Sequence, residues 1–206
     1  MQYNFDVRIG DKDIHCRAFT LREYKDMLQA KANGHLEELI TNLLKKCTSA
    51  RGLPKHQAES LIVQWWAHSL GCLNQEKIYM CECGKAQVIP ITLSHISYNE
   101  EKEIIKDFGA FKVKFNYPCL FEDKNKAQMI ASCIDSIITP EGDMLKVDDL
   151  TEAEIDDLHS AITTDDIEEI SERLLRPQIQ LAIPIACECG NHVHVITGLK
   201  EFFKFL

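Results

Sequence analysis

The sequence predicts an α+β fold, and three observations predict it. The tetrapeptide Cys-Glu-Cys-Gly occurs at 81–84 and again at 187–190. Each copy lies between short apolar runs of strand-like alternation. Helical periodicity occupies residues 20–71 and 125–175. Together these give two β-hairpin knuckle segments clipped to one another, zinc-ribbon-like, with helices packed around them. The expected organisation is a β-hairpin plus helical region over 1–75 and a duplicated-knuckle α+β region over 76–206, folded together as one compact unit.

The elements follow in order. Tyr3, Phe5, Val7 and Ile9 alternate, Gly10-Asp11-Lys12-Asp13 has turn chemistry, and Ile14, Cys16 and Ala18 resume the period of two. Thr20-Leu-Arg-Glu23 matches a capping box, with Leu21, Tyr24, Met27 and Leu28 at helical spacing behind it. A second helix is predicted from about Gly34 to Cys47, and a third from Pro54 to a stop at Gly71. Trp65 and Trp66 are adjacent on the third helix and cannot point the same way, so one is expected to be exposed or to face a partner. Ile78–Met80 leads into the first knuckle and Val88–Ile91 leads out. Residues 103–106 and 111–115 form a second hairpin, and residues 125–138 read as an apolar helix. Thr151-x-x-Glu154 opens a short helix to about Ile162, and another runs from about Asp165 to Leu175. Ile183–Ala186 enters the second knuckle, Val193–Ile196 leaves it, and residues 199–206 form a short amphipathic helix.

The chain has 206 residues, nine cysteines and a net charge of −9, with 45% hydrophobic and 27% charged residues. These fractions are those of a globular protein and exclude low-complexity disorder. No stretch approaches the roughly 18 apolar residues of a membrane span. The N-terminus shows no signal-peptide pattern, so a reducing cytoplasm is expected, where cysteines are buried thiols, metal ligands or redox groups. Residues 141–172 hold 13 acidic residues and one Lys. They read as a solvated helical face or a docking surface for a basic partner. Neither half of the chain is basic, which argues against a phosphate-neutralising nucleic-acid surface. No phosphate-binding, serine-hydrolase or metalloprotease motif is present, and no catalytic pair can be nominated.

Nine cysteines in 206 positions give on the order of 0.4 C-x-C pairs by chance. Two identical four-residue copies are far less accidental. Two turns that each supply two thiolates can close a tetrahedral zinc site, and a glycine after the second cysteine permits the positive φ such a turn needs. The expected ligands are Cys81, Cys83, Cys187 and Cys189, a closed structural zinc site. Empty reduced turns and a C-x-C thiol oxidoreductase are the alternatives. Each copy is one residue shorter than the usual C-x-x-C-G knuckle, so a tight turn is required. His192 and His194, or His68 and Cys72, could contribute a ligand. Cys16, Cys47, Cys119 and Cys133 read as core.

With the knuckles placed, residues 78–206 resemble the baseplate hub proteins of T-even bacteriophages, small tail-assembly proteins of the central hub. The resemblance rests on the first knuckle and its exit strand, Met80–Leu93, and on the hairpin ending at Tyr117-Pro118. It continues through Cys133-Ile-Asp-Ser-Ile137, Thr151-Glu-Ala-Glu154, the second knuckle and Gly198-Leu-Lys-Glu-Phe-Phe203. It implies a hub component or hub assembly factor, not an enzyme. Such a protein binds other hub and hub-assembly proteins, or itself, in the host cytoplasm during tail morphogenesis, and can remain in the virion. Trp65, Trp66, Phe202 and Phe203 are the candidate partner contacts, beside the acidic 141–172 segment. A nucleic-acid-binding zinc ribbon is the rival reading.

Overall fold

The computed structural model describes residues 3–205, without the side chains of His159 and Phe205. Leu206 and the Phe205 side chain of the expected C-terminal helix therefore lie outside the described residues. The fold is mixed α and β throughout.

The opening alternation builds β1 (Asn4–Ile9) and β2 (Lys12–Arg17), with Ile9 opposite Lys12. Gly10 takes φ +56° as the first residue of the two-residue turn, the place a II′ turn reserves for glycine. Helix α1 (Leu21–Asn33) starts at the predicted capping box: the Thr20 hydroxyl accepts from the Glu23 N–H, and the Glu23 carboxylate accepts from the Thr20 N–H. Helices α2 (Leu36–Cys47) and α3 (Lys55–Leu70) follow, and α3 stops at Gly71 in the left-handed region. Strands β3 (Asn74–Met80) and β4 (Ala86–Thr92) flank the first cysteine turn, followed by the short β5 (Ser97–Tyr98).

Next come β6 (Ile104–Asp107), β7 (Lys112–Phe115), α4 (Lys126–Cys133), β8 (Ile134–Ile138) and β9 (Met144–Leu145). Helices α5 (Glu152–Ala161) and α6 (Thr164–Leu175) both open on Thr-centred capping boxes. Strands β10 (Ile179–Cys187) and β11 (Gly190–Thr197) flank the second cysteine turn, and α7 (Leu199–Phe205) closes the chain.

The predicted 125–138 helix is corrected. It ends at Cys133, and Ile134–Ile138 is a strand between β7 and β9. Ile134, Ile137 and Ile138 are β-branched and stiff at χ1, so the run suits a pleated surface once a partner strand is available. Partner β7 supplies it, with Val113 opposite Ile137.

The chain separates into two compact units, Met1–Tyr98 with Gln178–Leu206, and Asn99–Pro177. In the first, the β3–β4 hairpin and the β11-β10-β5 sheet share a core. Ile89 and Ile91 pack there with Ile183 and Ile185, backed by Val63 and Ala67 of α3 and Phe202 of α7. Each fully buried aliphatic side chain contributes about 1.5–3 kcal/mol. In the second, the β6-β7-β8-β9 sheet carries Ile104, Val113 and Ile137 against Met129 of α4, Leu158 of α5 and Leu174 of α6.

Candidate metal centre

The two Cys-Glu-Cys-Gly copies fold as different turns. In the first, the Cys81 N–H donates to the Lys85 carbonyl and the Gly84 N–H donates to the Cys81 carbonyl. Gly84 sits at φ +84°, which frees the chain to double back into β4. In the second, Cys187 pairs directly with Gly190, leaving Glu188-Cys189 as a two-residue turn. Both turns are tight, as the shortened spacing demands.

The turns lie at the same end of the two hairpins and bring their sulfurs together. Sγ of Cys81 is 3.5 Å from Sγ of Cys189, and Sγ of Cys83 is 3.6 Å from Sγ of Cys187. All four ligand atoms lie within 4.8 Å of one another. Each short contact joins one copy of the turn to the other, so the four thiols form a single cluster rather than two separate C-x-C pairs. A zinc ion holding four thiolates at about 2.3 Å requires edges of about 3.8 Å between them. The cluster is therefore close to the size of that tetrahedron, and its donors are of the soft sulfur type that such a site takes.

The electrostatics pull two of the cluster's thiols in opposite directions. The Cys187 thiol is held down to about 7, first by the Cys189 backbone N–H. Cys189 is pushed up to about 12, first by its hydrogen bond with Cys81 and then by Cys187 and Cys83. Four crowded sulfurs do not ionise together unaided, and a divalent cation held by them would remove that obstacle. Polar neighbours are also present. Lys85 of the first turn pairs with the Glu188 carboxylate of the second, a cross-link between the copies. His192 places Nε2 3.3 Å from Cys189 Sγ, where its N–H can donate to a thiolate. His192 is thus a neighbour of the cluster. His194 instead lies beside the Tyr79 ring, with centroids 5.4 Å apart.

Comparison with known proteins places the chain in a family. The family described as T4 bacteriophage base plate protein matches residues 1–204. The chain belongs to this family. It is 46% identical over 207 residues to the baseplate hub assembly protein gp26 of Enterobacteria phage T4, covering 100% of this chain and 99% of that protein. No solved structure matches.

In this T4 base plate family member the remaining candidates divide. Cys16, Cys47 and Cys133 are buried as expected. Cys119 is corrected to an exposed loop residue: it follows Tyr117-Pro118 outside any strand or helix, and its N–H donates to the Glu122 carboxylate. Cys72 packs against the first unit's core and His68 stacks on Phe5 at 4.3 Å. Neither joins the cluster.

Among the aromatic candidates, Trp65 and Phe202 are both fully buried. The Trp65 indole N–H donates to the Arg17 carbonyl, and Phe202 lies inside the first unit's core. They are therefore core residues with no surface to offer a partner. Trp66 and Phe203 remain half-buried and meet edge to face, with ring centroids 5.1 Å apart.

One feature escaped the sequence reading. On the outer faces of the two hairpins, Ile78, Met80 and Val88 are exposed on one, and Val193 and Val195 on the other. The signal was available, because Val88-Ile-Pro-Ile91 and Val193-His-Val-Ile196 are apolar on both strand faces, a pattern of strands covered on two sides.

Proposed function

We propose that this chain is a baseplate hub component or hub assembly factor that works by binding other hub and hub-assembly proteins, with a zinc ion clipping its two hairpins. It acts without catalysis, in the host cytoplasm during tail morphogenesis, and is available for incorporation into the virion. Family membership supports the hub role.

One structural observation supports the binding mechanism above all others: both hairpins that meet at the cysteine cluster carry large apolar side chains on their outer faces. Ile78 is 76% exposed, and Val88 and Val193 are each 64% exposed. Apolar surface of this kind on β-strands is usually covered by a partner chain. A zinc ion on Cys81, Cys83, Cys187 and Cys189 would fix the two hairpins and present both faces pre-formed, which lowers the ordering cost of association. No helix among the described residues is long and apolar enough to cross a membrane.

Co-purification tests this reading. Tagged protein from cells co-expressing tail-hub proteins should recover at least one of them, and the Ile78→Ser, Val193→Ser pair should reduce recovery while leaving the zinc content intact. Failure to recover any hub protein, repeated with the tag at either terminus, would contradict the hub-binding role.

A further inference from the structure

The first unit contains a second apolar feature, lined by none of the residues of the cysteine turns. Helices α1, α2, α3 and α7 enclose a groove of about 490 Å³. Its lining includes Leu28, Ile40, Trp66, Leu70 and Phe203. Leu28 is 52% exposed and Leu70 is 44% exposed, although both sit at apolar positions of their helices. The polar part of the lining is basic: Lys31, Lys200 and Lys204 stand on it, and no acidic residue does. Lys204 is partnered by Glu201. Lys31 and Lys200 have no ion pair among the described residues.

We infer that this groove is the docking site for an acidic amphipathic helix of a partner protein. The walls are helices, and an apolar floor with charged rims is the form in which helix-in-groove recognition recurs. The volume accommodates a few large apolar side chains, as such a helix presents at i, i+3, i+4 and i+7. Trp66 provides the rigid aromatic anchor typical of binding hot spots. The lysines set the sign of the partner, since carboxylates beside its apolar stripe would meet Lys31 and Lys200. A small ligand is a poorer fit, because the lining offers no polar group other than flexible lysines and the Tyr24 hydroxyl to orient one. A second copy of the chain is also a poorer fit. Its acidic helices α5 and α6 turn Leu158, Ile170 and Leu174 into their own core and have no apolar stripe to offer. The inference rests on the reading that this chain acts by binding proteins, and names a partner chemistry at a surface separate from the hairpins.

The test uses the full chain and three helical peptides with one common leucine face and flanks of Glu, Gln or Lys. Binding is read by Trp fluorescence. The Glu peptide should bind saturably and about tenfold tighter than the Lys peptide at low salt, with the advantage shrinking as salt is added. Leu28→Ser, an exposed position, should weaken all three, and the Lys31→Glu, Lys200→Glu double variant should invert their order. The inference is overturned if no peptide binds up to ~1 mM, if the order is flat or reversed, or if Leu28→Ser changes nothing. It is equally overturned if the free protein is a dimer that Leu28→Ser dissociates, which would assign the groove to a second copy. Peptide binding without recovery of any hub protein would contradict the hub role and leave the groove assignment standing.

Discussion

The two compact units differ in what they place on their surfaces. The first, residues 1–98 with 178–206, carries 14 basic against 12 acidic residues, while the second, residues 99–177, carries 9 against 20. Large exposed hydrophobic residues are divided the opposite way. Among the described residues, Leu28, Leu70, Ile78, Met80, Val88, Val193 and Val195 belong to the first unit, and Met144 alone of that set belongs to the second. Acidic side chains in the second unit serve its own helices. Glu154 and Asp166 cap α5 and α6, Glu168 and Glu169 pair with Lys126 and Lys106, and Glu101 holds Arg173 and Arg176. The difference teaches where exposed apolar surface and paired charge reside. The first unit shows apolar surface and brings four cysteine sulfurs together where its two hairpins meet. The second is stabilised by its own core and charges.

The largest expected effect separates the units by their dependence on metal. Cys83→Ser or Cys187→Ser should cost about 3 kcal/mol or more, because metal binding is coupled to folding of the site. Melting followed by Trp fluorescence should fall by roughly 10 °C; both tryptophans lie in the first unit. Hydrogen exchange should show protection lost over 74–92 and 179–197 but kept over 104–175. Loss spread evenly over both units would break the comparison.

Next in size is the converse. Ile170 is 1% exposed in the second core, and Ile170→Ala should cost about 2–4 kcal/mol by cavity formation. Metal analysis should find the zinc content of that variant unchanged.

A smaller effect sits at the start of α6. The Asp166 carboxyl is held down to about 2, first by the Thr163 hydroxyl and then by Lys106. Its folded value lies below the ordinary ~3.9 of an unfolded aspartate. Its contribution is therefore present above that value and is lost as pH falls through about 2. Thr163→Ala should cost about 1 kcal/mol of cap stability, measured by denaturant unfolding. In an NMR titration it should also move the Asp166 midpoint upward. Glu101, Asp107, Asp135 and Glu154 of the same unit are likewise held low by hydrogen bonds and ion pairs, whereas Glu23 is the corresponding carboxyl in the first unit. Acid should thus weaken these second-unit charge interactions progressively as pH falls below the ordinary carboxylate values of about 4.

The smallest effect is expected at the surface pair joining the two turns. Lys85 and Glu188 are 54% and 82% exposed, and Lys85→Ala should change stability by no more than about 0.5 kcal/mol in a thermal melt. A loss as large as that of Cys83→Ser would mean that charge, not ligation, holds the turns together.

Legibility in the sequence followed the range of the interactions. Capping boxes at Thr20/Glu23 and Thr151/Glu154 were readable because both partners lie within four residues. The cysteine turns were readable because the tetrapeptide is repeated. The opposite orientations of Trp65 and Trp66 followed from helix geometry. Strand Ile134–Ile138 was misread as helix because Ile130, Cys133, Ile134 and Ile137 continue the helical spacing, and only the pairing with β7 decides between the two. The groove of α1, α2, α3 and α7 was invisible because its lining comes from residues 24–40, 66–70 and 200–204. Those segments meet only when the chain's two ends fold into one unit. The exposure of Cys119 was likewise set by a loop whose path no local pattern specifies.

The central claim is that the two copies of Cys-Glu-Cys-Gly make one metal centre. Elemental analysis of the protein purified without added metal tests it most directly. The account predicts about one equivalent of zinc per chain, with four thiols that become reactive only after chelation. Metal-free protein whose four thiols react at once, and whose melting is unchanged by added zinc, would contradict it.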